Sequence, residues 1–183
     1  ASQATEPLSW IPIVQADKVV MAGDPLQLPP TIYSQEAAAA GLKTTLMERL
    51  QKDLPSALKT LLRVQYRMHE TIMGFSSDCF YGGKLEADAS VRDHLATGLP
   101  GVRETDLTGG PLTYVDTAGA GYAEVWNELL DSRENEGEAK LALLLWQKLE
   151  EAGLGLRQAA IITPYAAQSK RLRSLGPRGR EVG

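Results

Sequence analysis

Apolar residues follow two rhythms along this chain. Short, mainly apolar runs at Val19-Val20-Met21-Ala22, Leu61-Leu62, Leu112 to Val115 and Ala159 to Ile162 have the length and composition of buried strands. They predict strands over 18–22, 58–65, 112–116 and 159–162. Between them, apolar positions recur at three and four residues, as on one face of a helix. That spacing predicts helices over 1–16, 35–53 with a break near Gly41, 70–81, 91–96, 135–152 and 165–175. Leu141, Leu144, Leu145 and Leu149 make the helix over 135–152 the best defined.

Local signals mark the element ends. Ser2 or Thr5 suits a cap for the first helix. Thr44 or Thr45 with Glu48, and Asn135 with Glu138, have the spacing of capping boxes. Gly82-Gly83 and Gly153 read as helix stops. Residues 119–133 read as a polar, mobile connection, and 176–183 as a loose Gly/Arg-rich tail. Strands apolar throughout and separated by helices predict an α/β fold, with parallel sheets covered by helices on both faces. In such folds ligands sit at the carboxyl ends of strands. Polar clusters fall at three of those ends: Gly23 to Gln27, Tyr66 to His69, and Thr163 to Gln168.

Composition adds little and excludes some classes. The chain has 183 residues, 43% hydrophobic and 23% charged, with a net charge of −4. No global basic field marks a nucleic-acid binder, though a groove can be basic on an acidic protein. The only cysteine, Cys79, forms no internal disulfide and suits a reducing, intracellular compartment. It reads as a core filler beside Phe75 and Phe80. Two histidines and one cysteine make no protein-built zinc site. The longest apolar run, Leu141 to Trp146, is too short to span a membrane. His69 reads as a local hydrogen-bonding residue and His94 as a surface one. Of the tryptophans, Trp10 and Trp146 read as packing residues, and Trp126 as able to stack on a base.

The polar clusters carry the chemistry. In Gly23-Asp24-Pro25-Leu26-Gln27-Leu28-Pro29-Pro30, the glycine permits close backbone approach and the prolines stiffen the loop. Gln27 there can orient an attacking water, read a terminal phosphate, or simply face solvent in a Pro-rich turn. In Gln65-Tyr66-Arg67-Met68-His69, a flat ring can stack on a base and a guanidinium fork can meet phosphate oxygens. Tyr66 and Met68 can equally belong to the core.

Together these motifs resemble a known family. Gly-Asp-x-x-Gln-Leu-x-Pro, then Gln-Tyr-Arg-Met-His, Asn135-x-x-Glu138-Ala139 and Ile161-Ile162-Thr163-Pro164-Tyr165-x-x-Gln168 resemble signatures of superfamily 1 helicases. The likeness is to the group holding the nonsense-mediated-decay and immunoglobulin mu-binding helicases. Leu46 to Leu50 and Val115 to Gly119 resemble the mu-binding branch most. Ala1 to Pro7 resembles the family segment just after the Asp-Glu pair of Walker B, so the chain is expected to be a fragment.

The resemblance implies a P-loop NTPase of RecA-like type. Residues 1–60 would end a first domain and 61–175 begin a second. ATP would bind between them. Gln27 and Arg67 would act catalytically, and Gln27, Asp24, Tyr66 and Arg67 would bind the nucleotide. Tyr66 would stack on adenine and Arg67 would reach the phosphates. Thr163, Pro164 and Tyr165 would line a track for single-stranded DNA or RNA. Mg²⁺ would be held mainly by residues outside this chain. No Walker A sequence occurs here, so the isolated chain is expected not to hydrolyse ATP. Gly179-Arg180-Glu181 weakly resembles the next family motif. The alternative is a non-catalytic module that binds single strands or protein. Cytoplasm or nucleus would be the location. Apolar faces around Val19 and Val20 are expected to lie exposed and to limit solubility.

Overall fold

The structure is a computed structural model and describes residues 1–155 and 157–176. The tail over 177–183, with Gly179-Arg180-Glu181, lies outside the described residues. The chain divides into two compact units, Ala1–Arg63 and Val64–Gly183.

In the first unit, helix α1 spans Glu6–Ile13, α2 spans Gln35–Ala37, and α3 spans Leu46–Asp53. Pro7 starts α1, where its missing N–H costs nothing. Of the two cap candidates, Ser2 or Thr5, Thr5 takes the N-cap position of α1, but its side chain makes no cap hydrogen bond. Ser2 Oγ instead accepts the Asp24 N–H at 3.1 Å. The expected break at Gly41 is present: a π-helical turn over Ala38–Leu42 kinks where Gly41 takes φ 103°. Thr45 caps α3 by accepting the Glu48 N–H at 3.1 Å. Glu6 and Arg49 pair at 2.5 Å and join α1 to α3.

The second unit opens with β1, Val64–Gln65, then α4, Glu70–Phe80, and β2, Glu86–Ala87. Strands β1 and β2 pair in parallel, Val64 with Glu86 and Gln65 with Ala87. Farther on, β3 (Glu124–Asn127) and β4 (Ser132–Asn135) form an antiparallel hairpin. Helix α5 (Glu136–Glu151) comes directly after, and α6 (Ala166–Leu175) ends the described chain. The core sits where α5 meets α6. Ala139 and Leu172 are fully enclosed there, with Ala142, Leu143 and Ile161 packed around them. Gly153 stops α5 at φ 104°, and a Cβ there would stand 2.1 Å from the Gly101 carbonyl oxygen.

The chain is α/β, with α4 on β2 and α6 on β4, but several expected strands do not form. Residues 18–22, 112–116 and 159–162 run without strand pairing, and of 58–65 only Val64–Gln65 is a strand. A strand exists only as one side of a ladder, and these segments have no partner among the described residues. Several of their apolar side chains lie exposed, Val20 at 85% and Ile162 at 88%, while Ile161 packs on the core. Among the described residues the parallel pairing is that of β1 with β2. The exposure expected at Val19 and Val20 is present, beside a groove of about 500 Å³ lined by Leu8, Pro12 and Ile13.

Four further readings change. The connection over 119–133 is largely ordered: it carries β3 and the start of β4, with Asp131 in the left-handed region at φ 45°. The short helix read over 91–96 is instead a 3₁₀ turn at Ala96–Gly98. Cys79 is exposed, as are Phe75 and Phe80, because α4 buries the face of Met73 and Ser77. Trp146 is buried, whereas Trp10 is exposed and donates its ring N–H to Glu6 at 3.2 Å.

Leu172 carries the α5–α6 contact at 2% exposure. Leu172→Ala should cost about 2–4 kcal/mol of unfolding free energy in urea denaturation. A loss under about 1 kcal/mol would show that the α5–α6 contact is not the core of this unit.

Candidate nucleotide and nucleic-acid site

The first loop is built around Asp24. Gly23 lets the chain pass Ser2 and Met47, since a Cβ there would sit 2.8 Å from both the Ser2 nitrogen and the Met47 sulfur. The turn closes when the Gln27 N–H donates to the Asp24 carbonyl at 3.2 Å. Both oxygens of the Asp24 carboxylate then accept. Oδ1 takes the Leu26 N–H at 3.0 Å, and Oδ2 takes Nε2 of Gln27 at 2.8 Å. Gln27 is thus an exposed side chain with a defined direction. The two prolines at 29 and 30 come next, Pro30 buried.

The second loop depends on a residue whose part the sequence did not suggest. The Gln65 side chain folds over its own loop. Its Oε1 accepts the Arg67 and Met68 N–H groups at 2.8 and 2.9 Å, and its Nε2 donates to the Met68 carbonyl at 2.8 Å. One amide satisfies three backbone groups and bends Tyr66 and Arg67 outward. Tyr66 is 67% exposed. Among the described residues no carboxylate pairs with the Arg67 guanidinium. His69 caps α4, its Nδ1 accepting the Thr71 N–H at 3.0 Å.

The third loop enters α6. Thr163 Oγ1 accepts the Tyr165 N–H at 3.3 Å, and Tyr165 occupies the N-cap position. Buried Ser132 accepts the Ala167 N–H at 3.3 Å and so supplies the cap from β4. Gln168 then reaches back to β4, accepting the Asn135 N–H at 2.8 Å and donating to its carbonyl at 3.0 Å. Asn135 caps α5 as expected, accepting the Glu138 N–H at 3.0 Å. The reciprocal half of that box is absent: Gln168 holds the Asn135 N–H, and the Glu138 carboxylate accepts from Thr117 at 2.9 Å.

Charge fastens the same corner. Arg171 grips Glu134 with two bonds, at 3.0 and 3.1 Å, while Asn127 donates to Glu134 at 3.2 Å. These donors, Arg171 first, hold the Glu134 carboxyl below the usual carboxylate range. The same bond holds the Arg171 guanidinium above its usual range. Arg133 is raised likewise by its hydrogen bond to Glu124. It lies 5.9 Å over the Trp126 ring, so one face of that ring is already covered.

Asp24 and Gln27 are therefore brought together in the first unit. Tyr66 with Arg67, and Thr163 with Pro164 and Tyr165, form two separate loops of the second. Among the described residues no group of three or more His, Cys, Asp or Glu side chains could hold a metal ion. No described helix is long and apolar enough to cross a membrane.

A family model described as an AAA domain matches residues 42–181, and another of the same description matches residues 1–35. The chain belongs to this AAA domain family, in the superfamily 1 group that its motifs resemble. The DNA-binding protein SMUBP-2 of Rattus norvegicus is 45% identical over 172 residues, 94% of this chain and 17% of that protein. The DNA polymerase alpha-associated DNA helicase A of Schizosaccharomyces pombe is 39% identical over 181 residues, 96% of this chain and 26% of that protein. An uncharacterized ATP-dependent helicase of Methanocaldococcus jannaschii is 38% identical over 180 residues, 95% of this chain and 26% of that protein. The chain thus spans about a sixth to a quarter of the length of these relatives.

Two measurements check the corner at α6. Gln168→Ala leaves both backbone groups of Asn135 without their partner and should cost about 1–2 kcal/mol in denaturant unfolding. An unchanged midpoint would rule the clasp out. For Glu134, a lowered folded pKa means that its contribution is complete above the unfolded value of about 4.3. It is lost as pH falls through the lower folded value. Thermal midpoints recorded from pH 7 down to pH 3 should fall less steeply in Glu134→Gln than in wild type. Parallel curves would show that Glu134 is not the acid-sensitive group.

Proposed function

We propose that this chain is the ATP-coupling part of a nucleic-acid helicase, joining segments of two RecA-like domains with a boundary near residues 60–64. The observation that carries this reading is the pair of preset loops. One aims a glutamine carboxamide. The other projects a tyrosine ring and a guanidinium that no described carboxylate neutralises. A fork of donors left unpaired at a loop tip suits phosphate oxygens. Relatives named as helicases support the same reading.

In this reading Tyr66 stacks on adenine, Arg67 meets the phosphates, and Gln27 answers the terminal phosphate or its attacking water. Asp24 enters through Gln27. ATP is the substrate, and Mg²⁺ when bound would neutralise developing charge on the phosphates. Thr163, Pro164 and Tyr165, at the entry to α6, touch single-stranded DNA or RNA. There the Thr163 hydroxyl and the exposed Tyr165 ring offer contacts to phosphate and base. ATP that binds one conformation more tightly than another shifts the population between them, and hydrolysis releases the bias. Nucleus or cytoplasm is the place such a motor would work. A module that only binds would leave the Gln65-shaped Arg67 without a use.

The test is nucleic-acid-stimulated ATP turnover by the full-length protein. Arg67→Ala should lower kcat/KM by about 100-fold or more, since it removes charge-assisted contacts that strengthen in the transition state. Tyr165→Ala should weaken single-strand affinity by about tenfold, from the loss of one stacking contact. Undiminished turnover in Arg67→Ala would refute the assignment.

A further inference from the structure

We propose that Asp24 is a positioning residue that turns the Gln27 carboxamide oxygen outward, so that Gln27 acts on the attacking water as a hydrogen-bond acceptor. This rests on reading the loop as part of an ATP-hydrolysing site, and it selects which end of the amide works. A carboxylate can only accept hydrogen bonds. Asp24 Oδ2 lies 2.8 Å from the Gln27 amide, so the amide end facing it is Nε2. The opposite orientation would set two oxygens at that distance. Asp24 cannot rotate to relieve this, because its other oxygen is tied to the Leu26 N–H at 3.0 Å. The Gln27 oxygen is left exposed, with no described donor upon it.

The arrangement also removes Asp24 from direct contact with the nucleotide. Both carboxylate oxygens are occupied within the loop, and an anion beside phosphate would be repelled. An outward amide oxygen cannot bond to unprotonated phosphate oxygens, but it can accept from water. In the step it serves, the water oxygen forms a bond to the γ-phosphorus. The bond from phosphorus to the β–γ bridging oxygen breaks, and its electron pair leaves with ADP. The water proton goes to the released phosphate. The amide orients the water and takes no proton.

Asp24→Asn inverts the device. The Asn oxygen stays on the Leu26 N–H, its NH₂ faces residue 27, and Gln27 must then turn its own NH₂ outward. Adding Gln27→Glu restores an outward acceptor, held by the Asn NH₂. In the full-length protein, Asp24→Asn should lower kcat for ATP at least tenfold while KM changes less than twofold. Asp24→Asn with Gln27→Glu should recover part of that loss. A purely structural role for Asp24 gives no such rescue. Full activity in Asp24→Asn, or a double variant no better than Asp24→Asn, overturns the proposal.

A second measurement, on residues 1–183, separates this idea from the reading on which it rests. In ¹⁵N-labelled protein, the Gln27 Nε2 proton that faces Asp24 should be shifted downfield and should exchange more slowly than in a solvent-exposed glutamine, and Asp24→Asn should remove both effects. Gln27 Nε2 protons with the shifts and exchange rates of a solvent-exposed glutamine in wild type overturn the proposal whatever the ATPase result. Absence of turnover in the wild-type full-length protein, with the hydrogen-bonded proton present, overturns the ATPase reading instead.

Discussion

Every backbone N–H and C=O taken from water must find a partner, and this chain meets that demand with side-chain amides where sheets do not reach. Gln65 satisfies three main-chain groups of one loop. Gln168 holds both main-chain groups of Asn135 across 33 residues of sequence. Gln158 accepts the Gly155 N–H at 2.8 Å. A carboxamide is suited to this because it sets a donor and an acceptor in one plane, as a peptide unit does. The loop of Tyr66 and Arg67 is shaped by one such contact, and the Asp24 loop ends in one at Gln27.

What could be read from the sequence was local, and what could not was distant or polar. Asn135 three residues before Glu138 and Thr45 three before Glu48 each cap a helix, and the glycine at 41 breaks one, all within one turn of chain. Gln168 was visible as part of a motif, but its partner lies far off in sequence, so nothing local pointed to Asn135. The β3–β4 hairpin escaped notice because Glu124, Asn127, Arg133 and Glu134 break the alternation by which strands are recognised. The opposite failure occurred at 18–22, 112–116 and 159–162. Composition there fits a buried strand, but pairing depends on a neighbour that composition does not report. The three polar clusters were found because they join unlike chemistries at the ends of apolar runs. How Asp24 and Gln65 act within them needed coordinates.

Sequence similarity and packing divide the chain differently. The longer family match begins at residue 42, whereas the compact units part between Arg63 and Val64. Helix α3 and the residues to 63 therefore resemble one family segment while packing within the first unit. Arg49 on α3, paired with Glu6, is part of that attachment. The charge pairs divide in kind as well. Arg171 and Glu134 fasten α6 to β4 through two bonds, while Lys52–Glu48 and Lys140–Glu136 sit along single helices on the surface, where such pairs are worth little.

The Gln168 clasp has a genetic consequence. Changing one base of a glutamine codon gives glutamate, lysine, arginine, histidine, leucine or proline. None of these presents an N–H and a C=O side by side on one planar group of the same reach. Asparagine keeps the group but is one methylene shorter, and it lies more than one base away. No single-base substitution at Gln65 or Gln168 can therefore reproduce the contacts made there. Drift at either position has no gradual route and must pass through a broken loop or change its partner first.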